Sequence, residues 1–273
     1  MKRITAPDIT AMKRGKMKIA VLTAYNFHIA KILDLAGIPV ILVGDSAGMV
    51  EAGMDTTLQV TVDEVIYHTR SVVRAVRRSL VVADMPFGSY QVSVVEAKKN
   101  AVRLVKEGGA QAVKVEGGKK TCEAVKAVVD LDIPVMGHIG LTPQSVHKFG
   151  GYKVQGKGRA EAKDIIRDAR LLEKAGAFAI VLECIPAALA REVTKAVSVP
   201  TIGIGAGPYC DGQVLVINDM LGLNAPADGS EQRPAMPRFV KKYADLYPVM
   251  TKAVCEFKEE VESGKFPSKE HCY

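Results

Sequence analysis

Short apolar runs, rich in β-branched residues, alternate along the chain with segments whose apolar residues recur every three or four positions. The short runs predict β-strands buried on both faces, and the periodic segments predict amphipathic helices. We predict eight strands, at 18–25, 40–46, 80–86, 112–118, 134–141, 179–186, 200–207 and 214–220. Helices are predicted at 62–76, 94–107, 160–175 and 187–197, with a helical tail at 237–264.

The order of these elements favours one fold class, an α/β (β/α)8 barrel of the TIM type with parallel strands and C-terminal helices. A helix, a glycine and a buried strand follow one another in three segments, 32–44, 103–116 and 171–183. Eight such strands with crossover helices fit a closed barrel better than an open sheet. No linker-like segment divides the chain, so we predict a single domain, 1–273, with extra helices at about 237–264.

Three long irregular segments each follow a predicted strand, at 47–60, 142–159 and 222–236. In a barrel of this type, the loops after the strands form the face that carries the active site. Because a long loop without secondary structure is usually functional, we predict that 142–159 is a lid over that site.

The composition narrows the class of partner. The chain is 48% hydrophobic and 25% charged, which permits a large core, and its net charge of +7 is spread over interspersed acidic and basic residues. It has no Trp and few aromatic residues, which disfavours nucleic-acid binding. Five scattered cysteines without a Cys-x-x-Cys pair indicate a reducing compartment. No run approaches the ~18 apolar residues of a membrane span. We therefore expect a cytoplasmic protein without nucleic-acid or membrane partners.

Three short matches to known motifs are set aside. The segment 44–48 spells Gly-x-Ser-x-Gly, but no periodic helix follows it, as a hydrolase nucleophile elbow requires. The segment 151–157 resembles a phosphate-binding loop, but position 158 is Gly where Ser or Thr should stand. The glycines at 203–207 lack the third glycine of a dinucleotide fingerprint.

Ionisable residues stand at the C-terminal ends of five consecutive predicted strands. They are Asp45, Asp84, Lys114, Glu116, His138 and Glu183. Adjacent strands lie about 4.8 Å apart, so carboxylates from the second, third and fourth strands can converge. Two carboxylates about 4 Å apart repel by roughly 4 kcal/mol at an effective dielectric constant of 20, so three need a cation or a raised pKa. Oxygen ligands without paired His or Cys favour Mg²⁺ or Mn²⁺.

Each of these residues also has a structural explanation. The two aspartates could cap turns, Lys114 and Glu116 could form a buried salt bridge, and His138 could be a satisfied core residue. Glu183 could bond to a neighbouring backbone group. The shared position at one end of successive strands favours a common site.

Collinear segments along nearly the whole chain carry a resemblance to one enzyme family. They are LTAYN (22–26), VGDSAGM (43–49), TVDEVIYHT (61–69), ADMPF (83–87), VKVEGG (113–118), GHIGLTPQSV (137–146), FGGYKVQGK (149–157), LECIP (182–186), IGIGAG (202–207), DGQVLVINDMLG (211–222) and ESGKFPS (262–268). In these segments the chain resembles the ketopantoate hydroxymethyltransferase family. The segment 223–236 is the least similar, and no role is assigned to it.

The resemblance implies a (β/α)8 barrel that transfers a one-carbon unit from 5,10-methylenetetrahydrofolate to 3-methyl-2-oxobutanoate. The product is 2-dehydropantoate (ketopantoate), in pantothenate biosynthesis. The family also implies a homo-oligomer, a decamer.

The resemblance further implies roles for the residues at the strand ends. Asp45 and Asp84 would bind one Mg²⁺ per subunit, with Glu116 contacting the metal directly or through water. The same two aspartates, Ser46 and Lys114 would bind the keto acid. Glu183 would be the catalytic proton acceptor. Apart from the resemblance, we expect His138, at the end of the fifth predicted strand, to be a secondary residue of the site.

This chemistry suits the residue types. An α-keto acid can chelate Mg²⁺, which polarises the ketone and acidifies the C3 hydrogen, so that a carboxylate can form an Mg-stabilised enolate. The alternatives are a phosphoenolpyruvate mutase or isocitrate lyase-like Mg-dependent enzyme on an α-keto acid, and a metal-binding scaffold without turnover. The former would use a lid loop with a cysteine, and 142–159 contains none.

Overall fold

A computed structural model describes residues 2–225 and 236–273. The chain divides into two compact units, the first ending at Val216 and the second beginning at Ile217. The single domain predicted for the whole chain stays a prediction. Within the described residues, no helix is both long and apolar enough to span a bilayer.

The first unit is built on a closed barrel of eight parallel strands in sequence order, which confirms the predicted fold class. The strands are β1 (Ile19–Thr23), β2 (Val40–Val43), β3 (Leu80–Asp84), β4 (Ala112–Glu116), β5 (Val135–Gly140), β6 (Ala179–Glu183), β7 (Thr201–Ile204) and β8 (Gly212–Leu215). Val21 of β1 pairs with Val40 on one side and with Val214 on the other, which closes the barrel.

Helices follow most of the strands. In the first unit they are α1 (Ala6–Arg14), α2 (Phe27–Leu35), α3 (Ala47–Val50), α4 (Val62–Ala75), α5 (Val94–Lys106), α6 (Cys122–Val129), α7 (Val146–Phe149), α8 (Arg159–Lys174) and α9 (Ala187–Ala196). The sequence encodes their ends: the Thr61 and Glu64 side chains form a capping box at the start of α4. In the second unit, the described helices include α10 (Ile217–Leu221) and α11 (Leu246–Glu262).

The barrel interior is filled by apolar side chains from the strands and from α1. Every residue of β2 and β3 is buried, because the barrel covers one face of each strand and helices cover the other. Ala6 and Ile9 of α1 belong to the same core as the inward side chains of the strands. The apolar core therefore provides a rigid base for the polar residues that follow it along the strands.

The predicted strands run up to three residues too far at most of their ends, and two predicted elements, the eighth strand and the helical tail, differ more strongly from the structure. The eighth strand was expected at 214–220, but β8 ends at Leu215 and α10 begins at Ile217. A short apolar run does not by itself distinguish a buried strand from the start of a helix. The predicted helical tail 237–264 contains a helix only from Leu246. Pro248 lacks a backbone N–H and is tolerated only in the first turn, so α11 begins just before it.

The irregular segments also contain structure that their composition did not indicate. The predicted lid 142–159 includes a 3-10 turn at Pro143–Ser145 followed by α7, and α8 begins at its last position. The segment 47–60 contains α3 and a second 3-10 turn. Of the segment 222–236, residues 226–235 lie outside the described residues. The lid role stays a prediction.

Asp34, near the end of α2, connects that helix to the start of β3. Its carboxylate accepts hydrogen bonds from the backbone N–H groups of Arg77, Arg78 and Ser79, each at 2.9 Å, and one from Ser79 Oγ at 3.0 Å. Burial by itself would raise the pKa of Asp34, but these hydrogen bonds lower it below the ordinary 3.8. The ionised carboxylate is therefore a structural element of the fold.

We expect Asp34→Asn to lower the free energy of unfolding by about 2 kcal/mol at pH 7, because hydrogen bonds to a charged acceptor are lost. The pKa of Asp34 is lower in the folded protein than in the unfolded chain. Its contribution to stability is therefore present above about pH 4 and is lost as the pH falls through the folded-state pKa. The difference in unfolding free energy between the wild type and Asp34→Asn, measured by urea denaturation, should therefore be smaller at pH 3 than at pH 7. Asp130→Asn, at an exposed surface pair, is the control. An equal difference at both pH values would contradict this account.

Candidate active site

The polar residues at the C-terminal end of the barrel extend the inward-facing rows of the strands. Side chains two positions apart in a strand lie on the same face, and Leu80 and Val82 of β3 both belong to the barrel core. Asp84 is the next residue of that row. The corresponding rows in the following strands are Ala112, Lys114 and Glu116 in β4, Met136 and His138 in β5, and Val181 and Glu183 in β6. The strand register thus brings these ionisable groups to one mouth of the barrel.

Lys114 is at the centre of this polar cluster, which we define as Asp45, Asp84, Lys114, Glu116, His138 and Glu183. Its Nζ lies 3.0 Å from Asp84 Oδ1, 3.5 Å from Glu116 Oε1 and 3.3 Å from His138 Nδ1. His138 Nε2 lies 3.1 Å from Glu183 Oε2, so the contacts continue to β6. The structure therefore places five of the six members in one connected network along β3 to β6.

Asp45 joins this network from the segment that follows β2. Its backbone N–H donates to Asp84 Oδ2 at 3.0 Å, so the two aspartates lie side by side. Gly44 makes this turn possible, because a Cβ there would lie 2.6 Å from Ser46 Oγ. Ser46 Oγ is also 2.7 Å from the buried hydroxyl of Tyr25. The turn after β2 thus contributes both a carboxylate and a positioned hydroxyl.

The ionised carboxylates of Asp45 and Asp84 are electrostatically unfavourable in their buried positions. Burial and the charges of Asp84 and Glu116 raise the pKa of Asp45 well above its ordinary value. Burial also raises the pKa of Asp84, although Lys114 opposes the shift. A pair of buried carboxyls with raised pKa values is a site where a cation would favour ionisation.

Lys114, Glu116 and His138 are held in their charged forms. Burial by itself would raise the pKa of Glu116, but Lys114 and His138 lower it to about 2. Burial and Lys114 oppose protonation of His138, but its contacts with Glu116 and Glu183 raise its pKa to about 9. Burial also opposes the charge of Lys114, yet the neighbouring carboxylates raise its pKa. At neutral pH these three side chains thus form a buried array of opposite charges.

The donor set fits a magnesium ion that keeps part of its shell for water and substrate. Asp84 Oδ1 is buried and accepts no hydrogen bond, although it lies 3.0 Å from Lys114 Nζ. Over 2–225 and 236–273, no three His, Cys, Asp or Glu side chains form a ready-made metal cluster. Mg²⁺ is usually held by one or two carboxylates together with water and substrate oxygens, and Asp45 and Asp84 offer such a pair.

Sequence analysis did not single out Gln144, which connects several parts of the site. Its Nε2 donates to Asp45 Oδ2 at 2.8 Å and to the Met85 carbonyl at 3.0 Å. Its Oε1 accepts from the Tyr90 hydroxyl at 2.6 Å, and its backbone N–H donates to Glu116 Oε2 at 3.0 Å. An uncharged residue in an irregular segment gives little signal in one sequence. Gln144 thus fixes Asp45 Oδ2 and Glu116 Oε2, whereas Glu116 Oε1 is in contact with Lys114 and His138.

We expect Gln144→Ala to weaken Mg²⁺ binding about tenfold or more, which corresponds to loss of an outer-shell partner of a ligand. Gln144→Glu removes the same amide donor but adds a negative charge that attracts a cation, so its loss of Mg²⁺ affinity should be smaller than that of Gln144→Ala. Isothermal titration with Mg²⁺ measures both effects. Gln91→Ala, which removes a partner of Gln144 Oε1 without touching either aspartate, is the matched control. Unchanged affinity in Gln144→Ala would show that this residue does not position the ligands.

Comparison with known proteins places this chain in a family. The sequence model of a family described as ketopantoate hydroxymethyltransferase matches residues 3–269. The 3-methyl-2-oxobutanoate hydroxymethyltransferase of Syntrophomonas wolfei is 55% identical over 273 residues, which cover 100% of this chain and 96% of that protein. The protein of the same name from Pelobacter propionicus is 54% identical over 272 residues, which cover 100% and 98%.

Solved structures with low sequence identity share the fold. A phosphonopyruvate hydrolase, solved with oxalate and Mg²⁺, aligns with a TM-score of 0.61 at 14% identity, over 98% of this chain and 93% of that one. A 2,3-dimethylmalate lyase of the phosphoenolpyruvate mutase and isocitrate lyase superfamily aligns with a TM-score of 0.58 at 14% identity, over 99% and 92%. The likeness to these proteins shows the barrel fold, whereas the sequence match spans almost every residue. The chain belongs to the ketopantoate hydroxymethyltransferase family.

Proposed function

We propose that this protein transfers a one-carbon unit from 5,10-methylenetetrahydrofolate to 3-methyl-2-oxobutanoate and forms 2-dehydropantoate. The observation that carries the proposal is the buried polar cluster at the mouth of the barrel, in a chain that belongs to this family. By atom balance, the reaction consumes one water, which supplies the hydroxyl oxygen of the product. The site must therefore bind an anionic keto acid, remove a proton from carbon and admit a second substrate.

Asp45 and Asp84 would hold one Mg²⁺, with Glu116 in contact directly or through water. When bound, the ion would polarise the ketone of the substrate as a Lewis acid. The raised pKa values of the two aspartates support this assignment, as does Asp84 Oδ1, which is buried and accepts no hydrogen bond. The phosphonopyruvate hydrolase, which has the same fold, was solved with oxalate and Mg²⁺ bound. This supports a site for a metal ion together with a carboxylate ligand.

Lys114 and Ser46 would bind the keto acid beside the two aspartates. The ammonium group of Lys114 is buried among carboxylates and adds positive charge where negative charge develops on the substrate. The Ser46 hydroxyl is held by Tyr25 and can donate a hydrogen bond. These contacts would orient the substrate with its C3 carbon toward Glu183.

Glu183 would remove the C3 proton. The C3–H bond breaks, the proton passes to the carboxylate and the electron pair remains on the substrate as an enolate. His138, whose Nε2 lies 3.1 Å from Glu183 Oε2, would position this carboxylate. Water cleaves the two C–N bonds of the donated carbon: its oxygen forms a carbonyl with that carbon and its two hydrogens pass to the folate nitrogens. C3 of the enolate then adds to the carbonyl carbon, and the carbonyl oxygen takes the proton from Glu183 and becomes the hydroxyl of the product.

Product analysis tests this proposal. Purified protein with 3-methyl-2-oxobutanoate, 5,10-methylenetetrahydrofolate and Mg²⁺ should form 2-dehydropantoate, detected by mass spectrometry, at a rate that depends on all three. Absence of product would contradict the transferase assignment. In that case, cleavage of a carbon–carbon or carbon–phosphorus bond in other α-keto acids would favour the mutase and lyase alternative.

The family resemblance also leads us to propose a cytoplasmic homodecamer. Sedimentation velocity of the purified protein measures the assembly directly, and a monomer or dimer at micromolar concentration would contradict the decamer.

A further inference from the structure

Tyr152 is an aromatic residue in the segment that joins α7 to α8, at the mouth of the barrel. It is 52% exposed, so part of its ring is open to a ligand. Its hydroxyl donates to Met49 Sδ at 3.7 Å. Met49 belongs to α3, which begins two residues after Asp45. The side chain of Tyr152 thus reaches the part of the mouth that carries one of the predicted metal ligands.

The segment that carries Tyr152 crosses the mouth of the barrel. Met49 lies in the segment that follows β2, whereas the backbone N–H of Gln155 donates to the carbonyl of Cys184, directly after β6, at 2.9 Å. β2 and β6 are four strands apart in a closed barrel of eight, so they lie on opposite sides of it. Between these two contacts, residues 152–155 therefore pass over the polar cluster.

Both ends of this crossing are held by the fold. Gly150 and Gly151 have φ values of 63° and 109°, which glycine adopts readily, and they turn the chain at the end of α7. At the other end, Gly156 packs so closely on α9 that a Cβ there would lie 2.5 Å from Leu189 Cδ2. The path of the segment is therefore defined, and with it the position of the Tyr152 ring.

The electrostatic surroundings of Tyr152 agree with this position. Burial and the negative charges of Glu183, Asp45 and Glu116 raise the pKa of its hydroxyl above the ordinary 10. These three carboxylates stand after β6, after β2 and in β4, so the hydroxyl feels charges from several sides of the mouth. At neutral pH the side chain is uncharged. It therefore offers a substrate an aromatic surface and adds no charge to the site.

The proposed keto acid has two ends of different character. Its carboxylate and ketone oxygens suit the charged groups of the polar cluster, whereas its isopropyl group is apolar and is stabilised by neighbours that remove it from water. Met49 is half-buried and in contact with Tyr152. The thioether and the ring together form an apolar surface on the solvent side of the cluster, where the polar groups leave the alkyl end without a partner.

We propose that Tyr152 is a specificity-determining residue, an inference that rests on the proposed function. Its ring, together with Met49, contacts the two methyl groups on C3 of the keto acid. Because the segment is held at both ends, the ring sets a limit to the size of the alkyl group that fits beneath it. The ring, and not the hydroxyl, carries this role, since the hydroxyl forms only a weak hydrogen bond to sulfur.

Selectivity between two keto acids tests this role. 3-Ethyl-2-oxopentanoate also has a single C3 hydrogen, but each methyl group of 3-methyl-2-oxobutanoate is extended by one carbon. Isothermal titration with Mg²⁺ present gives the ratio of the two Kd values, and C3 hydrogen exchange in D₂O gives the ratio of the two kcat/KM values. Tyr152→Ala should shift both ratios toward the larger acid by about tenfold or more, the discrimination that a methylene provides in an apolar site. Tyr152→Phe keeps the ring and should keep the wild-type ratios.

The matched control is Tyr67→Ala, which removes an exposed tyrosine ring from α4 and should leave both ratios unchanged. A ratio of two substrates does not depend on the fraction of protein that is folded. A variant that is only less stable would therefore keep the wild-type selectivity.

The outcomes separate this inference from the proposed function. Shifted ratios in Tyr152→Ala, without any 2-dehydropantoate formation by the wild-type protein, would support the role of Tyr152 and contradict the transferase assignment. Product formation by the wild type with unchanged ratios in Tyr152→Ala would overturn the role of Tyr152 alone. An equal shift in Tyr152→Phe or in Tyr67→Ala would overturn it as well, because the effect would then not depend on the ring over the mouth.

Discussion

Glu183→Gln is expected to slow Mg²⁺-dependent exchange of the C3 hydrogen of 3-methyl-2-oxobutanoate by about 10²–10⁴-fold, the usual contribution of a general base. The amide has nearly the same shape as the carboxylate but cannot accept the proton. His138 Nε2 lies 3.1 Å from Glu183 Oε2 but is not aligned for a hydrogen bond, so the substitution breaks none there and the side chain should keep its place. Binding of the keto acid and Mg²⁺ should therefore change little. Proton NMR in D₂O measures the exchange, and isothermal titration measures the binding.

The matched control is Glu192→Gln, an exposed position on α9 outside the polar cluster. It makes the same chemical change and should leave the exchange rate at the wild-type value. Undiminished exchange in Glu183→Gln would remove Glu183 as the base. Equal loss of exchange and of keto-acid binding would instead assign it to substrate binding.

Lys114→Met is expected to lower the free energy of unfolding by about 3–5 kcal/mol at pH 7, because it removes one partner of buried ion pairs. Asp84 and Glu116 would lose the ammonium group that lies 3.0 and 3.5 Å from them. The pKa of Lys114 is higher in the folded protein than in the unfolded chain. The contribution of Lys114 to the free energy of unfolding is therefore fully present below the ordinary lysine pKa, and it is lost only as the pH rises through the folded-state pKa. The full effect should therefore be visible at neutral pH.

Urea denaturation of the metal-free protein measures this loss. Lys126→Met is the matched control, because Lys126 forms an exposed pair with Asp130, and such pairs contribute about 0–1 kcal/mol. Added Mg²⁺ should stabilise Lys114→Met more than the wild type, since the ion offsets part of the missing positive charge. A loss no larger than that of the control would show that the carboxylates do not depend on Lys114.

The hydrophobic pattern predicts most of the barrel because its strands are buried on both faces and its helices are amphipathic. The prediction failed where one local sequence pattern is compatible with both a strand and a helix. The apolar run at 214–217 continues a strand in the prediction, yet a helix starts at Ile217. In the tail, the position of Pro248 fixes the start of α11 more closely than the periodicity does.

For the site, the position of charged residues after buried strands was the informative signal. Asp84, Lys114 and Glu183 stand out because a charge directly after a buried apolar run needs a partner. Gln144 and Tyr90 gave no such signal, because neutral side chains in irregular segments are common. Their role becomes visible only in the hydrogen bonds that connect Gln144 to Asp45 and to the Tyr90 hydroxyl.

The most direct test of the central claim is exchange of the C3 hydrogen of 3-methyl-2-oxobutanoate in D₂O by the wild-type protein, without folate. The claim is that acidic strand ends hold a divalent ion, which makes the keto acid acidic enough for a neighbouring carboxylate to deprotonate it. We predict that the C3 proton signal disappears in the presence of Mg²⁺, that chelation with EDTA stops this loss, and that renewed Mg²⁺ restores it. Exchange at an undiminished rate after chelation, or no exchange with Mg²⁺ present, would contradict the account.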